Sequence, residues 1–415
     1  MRPGNTVVSF VFVVVMFEGL GFSMVVPVFP RIVSTLTGGN IALASTYLGL
    51  YLSTFALMQF VSSPILGALS DAFGRRPVLL LSCFGLSVDY VIMALAPNLQ
   101  WLFIGRILSG ITSCSSAIAT AYIADVTEPD ERASKFGLLN AAYGTGFIVG
   151  PVVGSFLGGT YPTLPFWVAA SLAFASAGFG TFVFPGHFVV LRSAWQLRTL
   201  NPLTPLLILR RDRNVLTMAV ACFFCFVAQE VFATVFVLYS EERFNWSLAA
   251  IGMNLAAIGM CYMLTMAFLV APIVRQCGYK WATMAGLTLG AIGFVTTGMA
   301  QVNWLYFAAG CSTSLAGVAQ PAMQAWMSKS IDARSQGQLQ GTLNSLRGLA
   351  MIVGPHAFAA IFSMTIGVNR HLNGLVWFFA AGLLVVAAVV TCFGTRLAPI
   401  MEELTVAQNR PTEPV

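Results

Sequence analysis

Five charged residues interrupt stretches that are otherwise apolar enough to cross a bilayer: Glu18, Asp89, Arg106, Glu230 and, within a helix of the second half, Arg347. An ionised carboxylate in mid-helix costs on the order of 3 kcal/mol on insertion scales, so each acid must be protonated, paired or turned towards water. Arginine keeps its charge, and Arg106, within Gly105-Arg106-Ile-Leu-Ser-Gly110, therefore needs a carboxylate or carbonyl beside it. Glu18 is the first candidate for that partner and Asp89 the second. A basic neighbour lowers an acid's proton affinity until substrate or a conformational change separates them, which is one physical route to proton coupling. Two plainer readings stay open: a carboxyl hydrogen-bonded to the next helix, and a fixed ion pair that only orders the bundle.

A second set of charges lies between spans. The string Gly67-Ala-Leu-Ser-Asp71-Ala-Phe-Gly74-Arg75-Arg76-Pro77 joins Thr46–Leu66 to Val78–Ala96, each long enough to cross about 30 Å of hydrocarbon. Asp71 and Arg75 can meet across one helical turn, and Asp125 with the Glu128–Lys135 loop follows a later span. In the second half of the chain, Gln229 and Glu230 sit among Phe223, Phe224, Phe226 and Phe232. With Asn254, Tyr262, Gln320 and Gln324 they could line a cavity for a flat, apolar ligand, though each alone serves equally well as a bond between helices. Cys222-x-x-Cys225 lacks a second ligand pair and His187, His356 and His371 are isolated, so neither metal nor disulfide is expected. No cofactor is called for: the chain has no nucleotide-binding glycine loop and no nucleophile–base pair, which points away from an enzyme.

The elements that hold these residues are set by composition. Of 415 residues, 57% are hydrophobic and 9% charged, far from the quarter charged of soluble domains. The chain is an integral membrane protein. Twelve apolar segments fall near residues 7–28, 46–66, 78–96, 101–123, 136–158, 165–184, 215–239, 249–271, 281–300, 303–325, 338–363 and 374–393. The first contains Glu18 and Pro27 with no small-residue cleavage site, so it reads as a retained helix. Sixteen of the 21 basic residues lie in the loops on the side of both termini, and only Arg31, Arg243 and Arg370 in the loops opposite. The positive-inside rule then makes both termini cytoplasmic, and the net charge of +6 needs no nucleic acid to explain it.

A repeat divides the chain. Gly137-Leu-Leu-Asn140 and Ile148-Val-Gly150-Pro151 return as Gly341-Thr-Leu-Asn344 and Ile352-Val-Gly354-Pro355, all offset by 204 positions. Gly74 and Arg76 return as Gly278 and Lys280, with Arg275 where Asp71 stands. The expected organisation is a six-helix bundle over 1–186, a cytoplasmic linker over 187–214, a second bundle over 215–395 and a tail over 396–415. In the linker, Trp195–Leu209 could lie along the membrane surface, with Pro202 and Pro205 opposing one regular helix.

The Asp71–Arg76 loop resembles the one between helices two and three of major facilitator superfamily transporters. Leu20-Gly21-x5-Pro27-Val28-x-Pro30 is similar to a string of the twelve-helix drug:proton antiporters, and Gly146-Phe-Ile-Val-Gly150-Pro151-Val-Val-Gly154 to the motif of antiporters in the fifth helix. Acids at Glu18 and Asp89 and an arginine at Arg106 resemble tetracycline efflux pumps. This resemblance implies an all-α integral membrane fold of twelve transmembrane helices in two pseudo-symmetric bundles, with substrate bound between them. It implies proton coupling through Glu18, Asp89 and Arg106, a cytoplasmic gate of Asp71, Arg75 and Asp125, and close helix packing at Gly146, Gly150, Pro151 and Gly154. The expected partners are protons, an amphipathic drug-like molecule and the lipid bilayer, for a monomer exporting across a bacterial inner membrane. Trp281–Ala300 has no acid where tetracycline pumps usually carry one in helix nine, a departure that points away from tetracycline itself. An importer or facilitator of a sugar or metabolite, and a non-transporting receptor or scaffold, are the other readings.

Overall fold

The computed structural model describes residues 3–183, 201–210, 212–332, 335–366 and 372–394. Most of the expected linker and all of the expected tail lie outside the described residues. The first half contains α1 (Pro3–Val25), α2 (Phe29–Leu36), α3 (Ile41–Phe73), α4 (Arg75–Leu95), α5 (Leu99–Thr112), α6 (Ser115–Val126), α7 (Pro129–Thr160) and α8 (Leu164–Val183). The second contains α9 (Arg213–Thr234), α10 (Phe236–Phe244), α11 (Leu248–Leu264), α12 (Val270–Met299), α13 (Asn303–Ser312), α14 (Ala319–Lys329), α15 (Gln336–Thr365) and α16 (Leu375–Gly394).

Ten helical stretches among the described residues are long and apolar enough to cross a membrane. The longest, Leu248–Met299, bends at Gly278, whose φ of 74° only glycine adopts easily, and so counts as two spans. α13 and α14, joined through a 3-10 turn at Thr313–Val318, make one further span. The total is the twelve that hydropathy gives. Side-chain oxygens of Asn40, Asn98, Asp212 and Ser247 accept from free backbone N–H groups and fix the starts of α3, α5, α9 and α11.

The 204-residue offset is written into the backbone. Gly74 and Gly278 both turn the chain with positive φ, at 94° and 74°. α4 ends at Leu95 and α12 at Met299, and α5 begins at Leu99 and α13 at Asn303. The basic residue two places after each glycine closes the same gap in its own half: Arg76 donates to the Thr181 carbonyl on α8, and Lys280 to the Cys392 carbonyl on α16. Both orphan carbonyls belong to helix C-terminal turns, where a cation is favoured.

The halves meet along two equivalent seams. A Cβ at Gly49 on α3 would lie 2.9 Å from the Pro355 carbonyl of α15, and one at Gly252 on α11 would overlap the Pro151 carbonyl of α7. Ser45 and Ser53 of α3 donate across the first seam to the carbonyls of Ala359 and Ile352, at 3.3 and 2.7 Å. These contacts gather towards the face where α3 and α11 begin. Towards the face carrying the Asp71–Arg75 loop, Gly67, Gly137, Gly144 and Gly337 have nothing within 4 Å of an added Cβ. The contacts between the halves named above thus close the first of these faces. The described end of the linker, a 3-10 turn over Thr204–Arg210, docks on α15, where Thr342 and Ser345 donate to the carbonyls of Pro205 and Pro202.

Candidate functional site

The glycine stripe on α7 is what brings α1 close. A Cβ at Gly146, Gly150, Gly154 or Gly158 would meet Met16, Ser23, Met24 and Val28 of the α1 segment respectively, and three of the four would strike backbone or the Ser23 hydroxyl. Ser23 bonds the Gly146 carbonyl at 3.0 Å, which locks the register. Pro151 takes the other side of α7 and turns its carbonyl to Gly252 in the second half. One helix thus serves two jobs, holding α1 with glycines and facing the seam with proline.

Register places Glu18 and Asp89 in different surroundings. Arg106 on α5 bonds Asp89 on α4 at 3.4 Å, with Asp89 fully buried and Arg106 5% exposed. Asp89, not Glu18, is therefore the partner of Arg106, the reverse of the order expected from sequence. The reason is geometric: Asp89 lies six residues before the end of α4 and Arg106 seven after the start of α5, so the short turn between them sets both at one depth. Met93 Sδ also accepts from Arg106, and the rings of Phe29 and Phe55 lie 5.0 and 5.8 Å from the guanidinium carbon. Gly105 makes room, since a Cβ there would sit 3.0 Å from Asp89 Oδ1.

Glu18 has no such partner. Its Oε2 is buried without a hydrogen bond, in a neighbourhood shared with Cys83, Cys114 and Tyr143. Val14, Val15 and Leu139 belong to the apolar cluster that packs there. Within the first half the two acids thus divide into one held by a cation and one left alone.

The loop charges come together as the sequence suggested. Arg75 pairs with Asp71 and, at 2.9 Å, with Asp125 at the end of α6, and it bonds Ser70 at 2.7 Å. All four residues belong to the first half. The cluster joins α3, α4 and α6 and, among the described residues, takes no partner from the second half.

The polar residues of the second half separate into two groups. Asn254 is fully buried, donates to the Phe307 carbonyl at 3.5 Å and ties α11 to α13. Glu230, with Gln229 beside it on α9, packs against Gly354 of α15. Tyr262 lays its ring over Gly317. Gln320 and Gln324 line a cavity of about 70 Å³ with Cys222, Phe226, Gln340, Leu343, Asn344 and Arg347. Gln340, Asn344 and Arg347 are missing from the sequence-based site; Asn344 and Arg347 were visible only as a repeat residue and as one basic residue inside a helix. Cys222 is buried with its Sγ 3.7 Å from Met323 Sδ, an apolar packing role.

Two helical halves that repeat one frame, with charged residues held inside their membrane spans, have the build of a membrane transporter. Residues 11–355 match the family model of the Major Facilitator Superfamily, and the chain belongs to that family, one of transporters rather than enzymes. It is 37% identical to the class C tetracycline resistance protein of Escherichia coli, over 93% of this chain and 96% of that one. It is 38% identical to the class G protein of Vibrio anguillarum, over 88% and 91%. Among solved structures, a variant of the nucleoside transporter NupG superposes with a TM-score of 0.80 over 94% of this chain and all of that one, at 12% identity, a likeness of fold. The chain is a multi-pass membrane transporter.

Proposed function

We propose that the chain is a proton-coupled exporter of amphipathic small molecules, working by alternating access as a monomer in a bacterial inner membrane. The observation that carries this reading is the contrast between the two buried acids of the first half. Asp89 is paired with Arg106, whereas Glu18 has no partner to hold a charge in place and is suited to carry a proton. Asp89 and Arg106 orient α4 and α5 around it. Both termini and the Asp71–Arg75 loop face the cytoplasm, in keeping with the loop charges, and substrate enters from that side. Asp71, Arg75 and Asp125 form one side of a cytoplasmic gate, whose other side must come from the second half when that face closes.

The resistance proteins to which the chain is similar make tetracycline the first compound to try. In energised everted vesicles, adding an exported drug releases protons and partly collapses the gradient. The intact chain should respond to at least one member of a panel that includes tetracycline, and Glu18→Gln should abolish the response at unchanged protein level. A normal response in the Glu18→Gln variant would remove the proton-carrier role. Silence towards every drug, with the chain present in the membrane, would turn the reading to an importer or facilitator of a metabolite.

A further inference from the structure

We infer that the small recess on α14 and α15 of the second half is a site for an ionised acidic group, so that the transported molecules are amphipathic anions. This inference rests on the transporter reading and names the substrate class of its cavity. The recess presents Arg347 with four amide side chains, Gln320, Gln324, Gln340 and Asn344. Gln324 Nε2 bonds Gln340 Oε1 at 3.1 Å, which spends one donor and one acceptor and sets the two amides as a pair across α14 and α15. Among the described residues, Arg347 makes no hydrogen bond or ion pair. Its five N–H donors are open to whatever enters.

The nearest acid does not close the site. Glu230 packs at Gly354, seven residues from Arg347 on α15 and so about 10 Å along the helix axis. It stays within electrostatic reach of Arg347 without contact, as do Tyr262 and, from the opposite half, Tyr143. Arg347 lies about 16 Å into α15 from its start, well inside the bilayer's thickness. A guanidinium at that depth with no fixed counter-charge needs water or an anionic guest.

Size and walls narrow the guest. About 70 Å³ holds roughly two waters or one carboxylate, not a fused ring system. Cys222, Phe226 and Leu343 supply the apolar side, and Phe223 and Phe224 follow on α9. A ligand with one ionised group and a flat apolar body fits this division: the head in the recess and the body between the halves. The recess is not part of the repeated frame. The positions 204 residues earlier are Ser116, Thr120, Phe136, Asn140 and Tyr143, which offer one amide and no cation. The two halves therefore present an asymmetric cavity, with Arg347 opposite Tyr143.

The test uses three fluorescent probes on one scaffold: 1-pyrenebutyrate, its neutral carboxamide, and a pyrenebutyl-trimethylammonium. Binding to the purified full chain in lipid nanodiscs is followed by fluorescence polarisation. The carboxylate should bind roughly tenfold tighter than the carboxamide, with the cation weakest. Arg347→Gln should erase that preference and Arg347→Lys should restore part of it, with an unfolding temperature in detergent equal to that of the intact chain showing that each variant is folded. Equal affinity for all three probes, a preference for the cation, or an anion preference that survives Arg347→Gln overturns the inference. If none of the probes binds while vesicles still release protons on drug addition, the anion site is wrong and the exporter reading stands; absence of proton release with any drug removes the exporter reading itself.

Discussion

At the two places where the first half buries its ion pair, Asp89 and Arg106, the second half has Gly293 and Gly310, each 204 residues on. The frame around them is the same: α4 and the Gly278–Met299 part of α12 end in step, and α5 and α13 begin in step. In the first half, depth is fixed by charge, with Arg106 held by Asp89 and the Met93 sulfur. In the second, the same level is packed by small residues, where a Cβ at Gly293 would sit 3.1 Å from Thr313 and one at Gly310 3.4 Å from Asn254 Oδ1. The charges of the second half, Glu230 and Arg347, sit elsewhere and do not touch. One half is built to keep its cation paired and the other to keep its cation available. That difference teaches where coupling and recognition should be sought: protonation at Glu18 beside the fixed pair, and ligand charge at Arg347.

The comparison breaks first at Asp89. Asp89→Asn strands a buried guanidinium, which costs about 3–5 kcal/mol when one partner of a buried pair is removed. Protein level in the membrane and thermal unfolding in detergent should both fall. The double variant Asp89→Asn with Arg106→Met should recover most of that loss. Glu18→Gln, by contrast, removes no bond and should leave the unfolding temperature where it was while ending proton coupling. Equal destabilisation by Asp89→Asn and Glu18→Gln would erase the distinction between the two acids.

Next come the glycines, which sort packing that is permanent from packing that must part. Gly154→Ala puts a methyl into the Met24 carbonyl within one half, and overpacking of this kind costs about 1–3 kcal/mol in every conformation. Gly252→Ala puts one into Pro151 and Ser155 across the seam. It should cost little in total stability, because the seam can open, and should move the population away from the state closed on that face. Spin-label distances across the seam would separate these outcomes. A lengthening in Gly252→Ala with normal unfolding, against normal distances with early unfolding in Gly154→Ala, is the expected pattern.

Much of the frame was legible in the sequence. Twelve spans follow from hydropathy, and the offset between Gly74 and Gly278 forecast two matching turns that the backbone then makes. The meeting of Asp71 and Arg75 was legible too, because they are one helical turn apart, whereas Asp125 joined them only through the family resemblance. What sequence left undecided was register between helices. Nothing in residues 15–30 says how far α1 slides along α7; Gly146, Gly150 and Gly154 settle that only once they are seen against Met16, Ser23 and Met24. Glu18 was set against Arg106 for that reason, when the turn after Leu95 brings Asp89 there instead. A count of basic residues by side gives Arg347 no role, because it lies within a helix and belongs to neither side. Its match to Tyr143 under the repeat was the available signal that a position facing the cavity had gained a charge.

The smallest expected effect concerns the closed face. Arg31, on α2, and Glu241, on α10, both line a recess of about 680 Å³ at the far end of the seam, with Ser155 and Trp246. Burial pushes the Glu241 carboxyl above its ordinary range, and Arg31 from the other half pulls it back. A carboxyl that binds its proton more tightly when the seam is closed makes closure more favourable at acid pH. As pH rises through its raised range, the buried charge must be carried and that preference is lost. With both groups partly open to water, the closed-to-open ratio should change by about twofold or less. Spin labels at Thr35 and Ser247, on a chain with Cys277 and Cys392 replaced by serine, would read the seam at pH 5 and pH 8. Acid should shorten the mean distance, and Glu241→Gln should make it insensitive to pH and fix it near the acid value. A distance that lengthens in acid would mean that Arg31 dominates, so that protonating Glu241 frees a cation the closed seam cannot hold. The closed face would then be tied by charge as the Asp89–Arg106 level is, and the contrast between the halves would stop at the bilayer's edge.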